Sequence, residues 1–173
     1  MHRRRSSTAR EQDAAPPPAT CLLDGAHARA GFDVSEVSRR IGDGDAVWHR
    51  AAVDLLRWRV KTRSGFRVPD GARASAGESL SIRAGAFGWT IEEPVQVVAV
   101  VDRPDVVSFV YETRPGHPLD GDEAFLLERA PDGIVLTIRS RSRAARSGPW
   151  RRAYPLLRIA QRITRWRYLR SLR

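Results

Sequence analysis

The sequence predicts an α+β fold, a curved antiparallel sheet packed against a helix from the N-terminal half and a long C-terminal helix. Three observations carry this. Between Ser79 and Arg141 apolar residues recur with the period of two expected of strands with one buried face. The connections DRPD and APDG between those stretches are too short for helical crossovers, so neighbouring strands are antiparallel. Ala46 to Val60 and Ala153 to Leu172 instead repeat their apolar residues every three or four positions. At 173 residues the chain suits one domain, set at residues 21–173.

Residues 1–20 read as a disordered, basic and Pro-rich tail, because Met1, alanines and prolines are its only apolar residues. Gly31 to Ile41 reads as a strand or a short helix, closed by a turn at Gly42, Asp43, Gly44 and Asp45, with Asp45 placed to cap the next helix. In that helix Val47, Ala51, Leu55 and Trp58 form an apolar face beside Trp48 and Ala52, while Arg50, Asp54, Arg57 and Arg59 fall outside it. Phe66 to Val68 is a short apolar piece before a Pro69-Asp70-Gly71 turn, and Ser79 to Ile91 alternates, with Gly85 and Gly88 available for a bend. Strands are expected at Val95 to Val101, Val106 to Thr113, Ala124 to Arg129 and Ile134 to Arg141, with residues 115–123 as a polar loop. In the last segment Leu156, Ile159, Ile163, Trp166 and Leu169 form a stripe that Leu157, Ala160 and Leu172 widen, and Pro155 suits the first turn. The stripe is expected to close the core over the sheet.

The formal charge of +10 is concentrated at the ends. The first ten residues hold four Arg and no acid, and residues 139–173 hold twelve Arg and no acid, so residues 11–138 carry 14 basic against all 20 acidic residues, a net −6. Such ends suit an anionic membrane surface or an acidic protein. Nucleic acid is disfavoured, since neither finger spacing nor an aromatic RNA-binding strand signature accompanies the charge. Arg158, Arg162, Arg165, Arg167 and Arg170 flank the C-terminal stripe, as in an interfacial amphipathic helix, the alternative to core closure.

Cys21 is the single cysteine, which removes an intramolecular disulfide and a cysteine-based zinc cluster. His2, His27, His49 and His117 are widely separated and form no HExxH, so neither metal nor cofactor is expected. The segment AREQDAAPPPAT brings acids and prolines where a signal peptide needs an apolar run, and no 18-residue apolar run occurs anywhere. The expected location is cytoplasmic, with peripheral attachment at the inner membrane surface as the alternative. AGAFGW lacks the spacing and the Lys-Ser/Thr of a phosphate loop.

The stretch YETRPGHPLDGDEAF, residues 111–125, gathers the polar chemistry. Alternation puts Tyr111 and Thr113 on one strand face, and two inward hydroxyls need partners. His117 is the candidate acid or base near neutrality, Glu123 or Asp122 the group that orients it, and Tyr111 a donor to a developing oxyanion. Arg139, Arg141 and Arg143 from the following strand are candidates to hold an anionic group, beside Tyr111, Thr113 and His117. Three readings stand open here: a conformational clasp for a hairpin connection, a ligand or catalytic site, and a partner surface.

Tyr111, Thr113, Gly116, His117, Gly121, Glu123 and Phe125 together make the chain resemble the DUF1990 or UPF0548 family of bacteria and plants. Gly31-Phe32, the turn at Gly42 and Gly44, Ala51 to Trp58 and Ile138 to Arg143 extend the resemblance over about residues 30–160. It implies an independent small domain and a role for the His117 loop, and it brings no reaction. The family is in turn similar to helix-grip domains of the START or polyketide-cyclase type, whose curved sheets grip a C-terminal helix and often hold apolar ligands. That similarity implies binding of a small, partly apolar molecule between sheet and helix, with Tyr111, Thr113, His117 and an Arg from 139–143 as polar contacts. An enzyme using His117 is the alternative.

Overall fold

The computed structural model of the chain describes residues 21–25, 30–86, 89–145 and 147–173. The tail expected over residues 1–20, and with it His2, lies outside them, as does His27. The elements are α1 (Cys21–Asp24), β1 (Asp33–Gly42), α2 (Asp45–Leu56), α3 (Arg59–Thr62), β2 (Phe66–Arg67), β3 (Ser79–Ala86), β4 (Trp89–Asp102), β5 (Val106–Thr113), β6 (Leu119–Ala130), β7 (Gly133–Ala144), a 3-10 turn at Pro149–Arg151, and α4 (Tyr154–Tyr168). One curved, fully antiparallel sheet runs β1-β7-β6-β5-β4-β3-β2, gripping α2, α3 and α4 on its concave face. No helix among the described residues is long and apolar enough to cross a membrane.

Gly31 to Ile41 resolves into a strand, because every second residue of β1 finds cover on β7: Val37 lies opposite Ile138 and Arg39 opposite Leu136. This strand precedes the paired helices α2 and α3 in the chain. Ser79 to Ile91 divides between β3 and β4, whose register brings Gly85 opposite Thr90, so this stretch turns back on itself instead of bending once. The polar loop expected over residues 115–123 shrinks, since β6 already begins at Leu119. Cross-strand partners override local polarity there: Asp120 lies opposite Arg143, Asp122 opposite Arg141 and Glu123 opposite Ser140. Gly121 is required at this crossing, where a Cβ would lie 2.0 Å from the Arg141 carbonyl oxygen.

The helix expected to reach Val60 stops at Leu56. Trp58 adopts φ +60°, an uncommon conformation for a bulky residue, and α3 restarts the chain in a new direction. Tertiary packing imposes the break. The Trp58 indole is fully buried, with its centroid 4.6 Å from the Phe109 ring and 5.9 Å from that of Tyr111. Asp45 is the first helical residue and not the cap, which is Gly44; its carboxylate pairs with Arg129 at 2.9 Å.

The main core joins Trp48, Ala51, Leu55 and Leu56 of α2 to Phe109, Phe125, Leu127, Leu136 and Ile138 of the sheet. A smaller cluster on the convex face seats Leu22 of α1 against Val110, Ala124 and Leu126. The α4 stripe departs from expectation. Leu156, Ile159, Ile163 and Trp166 are exposed by 70%, 57%, 51% and 56%, so they do not close the core. The chain closes it further on, through buried Tyr168 and Leu172, with Leu169 partly buried against the same cluster.

Candidate functional site

Between α4 and the concave face of the sheet lies a cavity of about 220 Å³. Its shape follows from the elements just described: the Trp58 break sends α3 beneath the open end of the sheet, and α4 crosses above as a roof. Tyr111, Thr113, Glu123 and Ser140 line it from β5, β6 and β7, Glu93 and Ile91 from β4, and Leu157, Gln161, Thr164, Arg165 and Tyr168 from α4. The side of α4 towards the sheet is therefore mixed. Its hydrogen bonds to β7 are polar, from Gln161 Nε2 to Ser142 Oγ at 3.2 Å and from Arg165 Nη1 to Ser140 Oγ at 3.5 Å.

The floor of the cavity is built on Lys61. Only 2% exposed, it donates from Nζ to the Tyr111 hydroxyl at 2.5 Å and to Glu123 Oε2 at 3.1 Å. The Tyr111 hydroxyl in turn donates to Glu123 Oε2. Four aromatic rings surround the ammonium, with centroids 4.9 Å (Tyr111), 4.9 Å (Tyr168), 5.0 Å (Phe66) and 5.7 Å (Phe125) from Nζ, so cation–π attraction supplements the ion pair. Burial pushes the Glu93 carboxyl above its ordinary pKa; Lys61 opposes this shift and nearby Glu123 adds to it. The same burial, reinforced by Glu123, holds the phenols of Tyr111 and Tyr168 well above theirs, so both remain protonated donors.

The three residues expected to act together all line this cavity: Tyr111 and Glu123 are in direct contact, and the His117 ring is bonded to its own loop. The His117 Nδ1 lies 2.9 Å from both the N–H and the carbonyl oxygen of Leu119, so its own loop orients the ring in place of Glu123 or Asp122. Burial, helped by the charge of Lys61, lowers its pKa to about 3. A ring that stays neutral down to such acidity is a poor base at pH 7, which corrects the expectation of a group titrating near neutrality. Thr113 Oγ1 accepts from Gly121 N–H at 3.0 Å, and His117 N–H donates to the Arg114 carbonyl at 3.0 Å. These bonds fasten the β5–β6 connection in the manner of a clasp, on the wall of the cavity.

The three β7 arginines are committed to partners within the fold, although Arg141 also borders the cavity. Arg139 donates to the carbonyls of Leu22 and Leu23 at 3.1 and 2.6 Å and pairs with Glu36, fixing α1 to the convex side. Arg141 makes a two-pronged bond to Asp122 at 2.9 and 2.6 Å with both side chains buried. Arg143 pairs with Asp120 and stacks 4.5 Å from the Phe32 ring. Arg165 stands in their place. It comes from the roof, is partly buried, and has its pKa lowered by that burial. Arg167 also lines the cavity, whereas Arg158 pairs with Asp33 at 3.3 Å and Arg170 stacks on Trp166 at 3.5 Å.

Sequence reasoning passed over Lys61 and Glu93. Lys61 did carry a signal, as the one lysine among 30 basic residues. Glu93 carried a weak one, as half of the adjacent pair Glu92-Glu93, whose side chains point apart on a strand; only the cavity lining places it beneath the same roof as Glu123. Among the described residues no group of three or more His, Cys, Asp or Glu is arranged to hold a metal ion.

Comparison with known proteins gives one family and a shared fold. A family model described as a domain of unknown function, DUF1990, matches residues 19–171. A UPF0548 protein from Deinococcus radiodurans is 34% identical over 146 residues, which cover 77% of this chain and 73% of that protein. Protein CV1439 from Chromobacterium violaceum has a similar fold, with a TM-score of 0.51 at 17% identity over 80% of this chain and 93% of that one. Hypothetical protein jhp0584 from Helicobacter pylori is similar at a TM-score of 0.53, with 11% identity over 82% of this chain and 84% of the other.

Proposed function

The chain belongs to the DUF1990 family, and we propose that its cavity binds a small, partly apolar molecule carrying an anionic, hydrogen-bond-accepting group. The observation that carries this reading is a roofed cavity with a buried ammonium at its floor and a partly buried guanidinium at its rim. Phe66, Ile91 and Leu157 offer apolar contact to the body of such a molecule. Its polar end meets Lys61, Arg165 and Arg167 against the carboxyls of Glu93 and Glu123, an excess of positive charge that an anionic group would balance. At about 220 Å³ the space is smaller than the roughly 300–1,000 Å³ usual for drug-sized ligands, so the occupant is small. His117 serves in this reading as a neutral wall group, and binding requires no turnover.

The test is a thermal-shift and calorimetric titration of the full chain with short-chain and aromatic carboxylates and with phosphate monoesters. A true ligand raises Tm with concentration, as mass action requires. Arg165→Gln should weaken it about tenfold or more through loss of a charged hydrogen bond. Thr164→Trp should fill the cavity from the roof and abolish binding while the protein stays folded. If no compound of either class binds and Thr164→Trp raises Tm, the cavity is a packing defect and the reading fails.

A further inference from the structure

We propose that the outward face of α4 is a docking surface for an anionic lipid bilayer. This does not depend on what the cavity holds. Leu156, Ile159, Ile163 and Trp166 lie three or four residues apart and so share one side of the helix, and each is more than half exposed. The opposite side, through Leu157, Gln161, Thr164 and Tyr168, is turned to the cavity and the sheet. The exposed row runs for roughly 15 Å of helix. Scattered single apolar residues on a surface need no explanation, but four in a continuous row on one helix do.

Charge decides what covers the row. At 3.6 residues per turn, Arg162 falls on one flank of it, while Arg170 stacks on Trp166 at its C-terminal end. Residues 139–173 contain no acid to offset them. A second copy of the chain would set these arginines against their equals. The N-terminal twenty residues offer only methionine, alanine and proline as apolar groups and bring four more arginines. An anionic membrane surface supplies both needs, acyl chains for the row and phosphate for the rim, and the Trp-Arg pair has the amphipathic character found at the headgroup level. Lysine- and arginine-flanked apolar rows of this kind bind through buried area and electrostatic attraction together.

The experiment is co-sedimentation of the full chain with vesicles of phosphatidylcholine alone and of phosphatidylcholine mixed with phosphatidylglycerol. Binding is expected to the mixed vesicles, to weaken as salt is raised, and to exceed that to neutral vesicles by about tenfold or more. Ile159→Ser/Ile163→Ser, at exposed positions, should leave Tm unchanged and reduce binding about tenfold or more. Comparison with Trp166→Phe should assign a blue shift in fluorescence to Trp166. Equal binding by the double variant, or no binding to the mixed vesicles at low salt, would overturn the proposal. So would a solution dimer that the double variant dissociates, since it would give the face to a second copy.

Discussion

Lys61 is surrounded so closely that an arginine would not serve in its place. Its Nζ lies within 5.7 Å of four ring centroids and bonds two oxygens, a space cut for a compact ammonium. Lys61→Arg should keep the charge and still destabilise the protein by about 1–3 kcal/mol through overpacking, readable in urea unfolding. A neutral result would show that the cage is looser than described. His117 makes a second prediction. Its folded pKa of about 3 lies below the ordinary 6.5, so between those values the unfolded chain binds a proton that the native protein refuses. Acid then favours unfolding: the contribution of His117 is complete above about pH 6.5, declines as the pH falls towards 3, and is on the order of a few kcal/mol at its limit. His117→Asn should flatten the stability profile between about pH 5 and 7 relative to the parent chain. An unchanged slope would mean that the imidazole becomes protonated in the folded state.

At the scale of elements, the Trp58 break connects core to cavity, because it ends α2 and turns Lys61 under the sheet. Trp58→Ala should cost about 3–5 kcal/mol, as expected for a buried aromatic, and should also weaken any ligand that the cavity accepts. A loss of stability without any change in cavity binding would separate the two roles. Trp58 also marks where sequence periodicity misleads. Trp58 does belong to the apolar face of the expected helix, and the spacing alone gives no sign that its indole needs φ +60° to reach Phe109. In α4 the stripe itself was legible, but periodicity reports that a helix has an apolar side and not what that side meets. The sheet opposite Gln161 and Arg165 presents Ser142 and Ser140, so the mixed side of α4 faces inwards. Glu123 was legible as a polar site residue beside Tyr111, while its place in a strand depended on partners in β5 and β7 too distant in sequence to read.

Across the whole molecule, α4 is attached unevenly, and this bears on how a roofed cavity is entered. Its N-terminal half is held by polar bonds, Tyr154 to Asp33 at 2.5 Å and Gln161 to Ser142 at 3.2 Å. Its C-terminal end is anchored in the core by Tyr168, 5.3 Å from the Phe125 ring, and by Leu172 just beyond it. Polar bonds at a solvated edge exchange readily with water, whereas withdrawing Tyr168 and Leu172 exposes core surface. The helix should therefore open from its N-terminal half, pivoting on Tyr168. Native-state hydrogen exchange tests this directly: amides of Ile159 to Thr164 should exchange through local openings far less costly than global unfolding, while those of Phe109, Phe125 and Ile138 exchange only with it. A ligand bound beneath the roof should slow the first group and leave the second near its global limit. Equal protection along α4 and across β5 and β6 would instead make the helix part of one cooperative unit, and entry to the cavity would have to pass elsewhere.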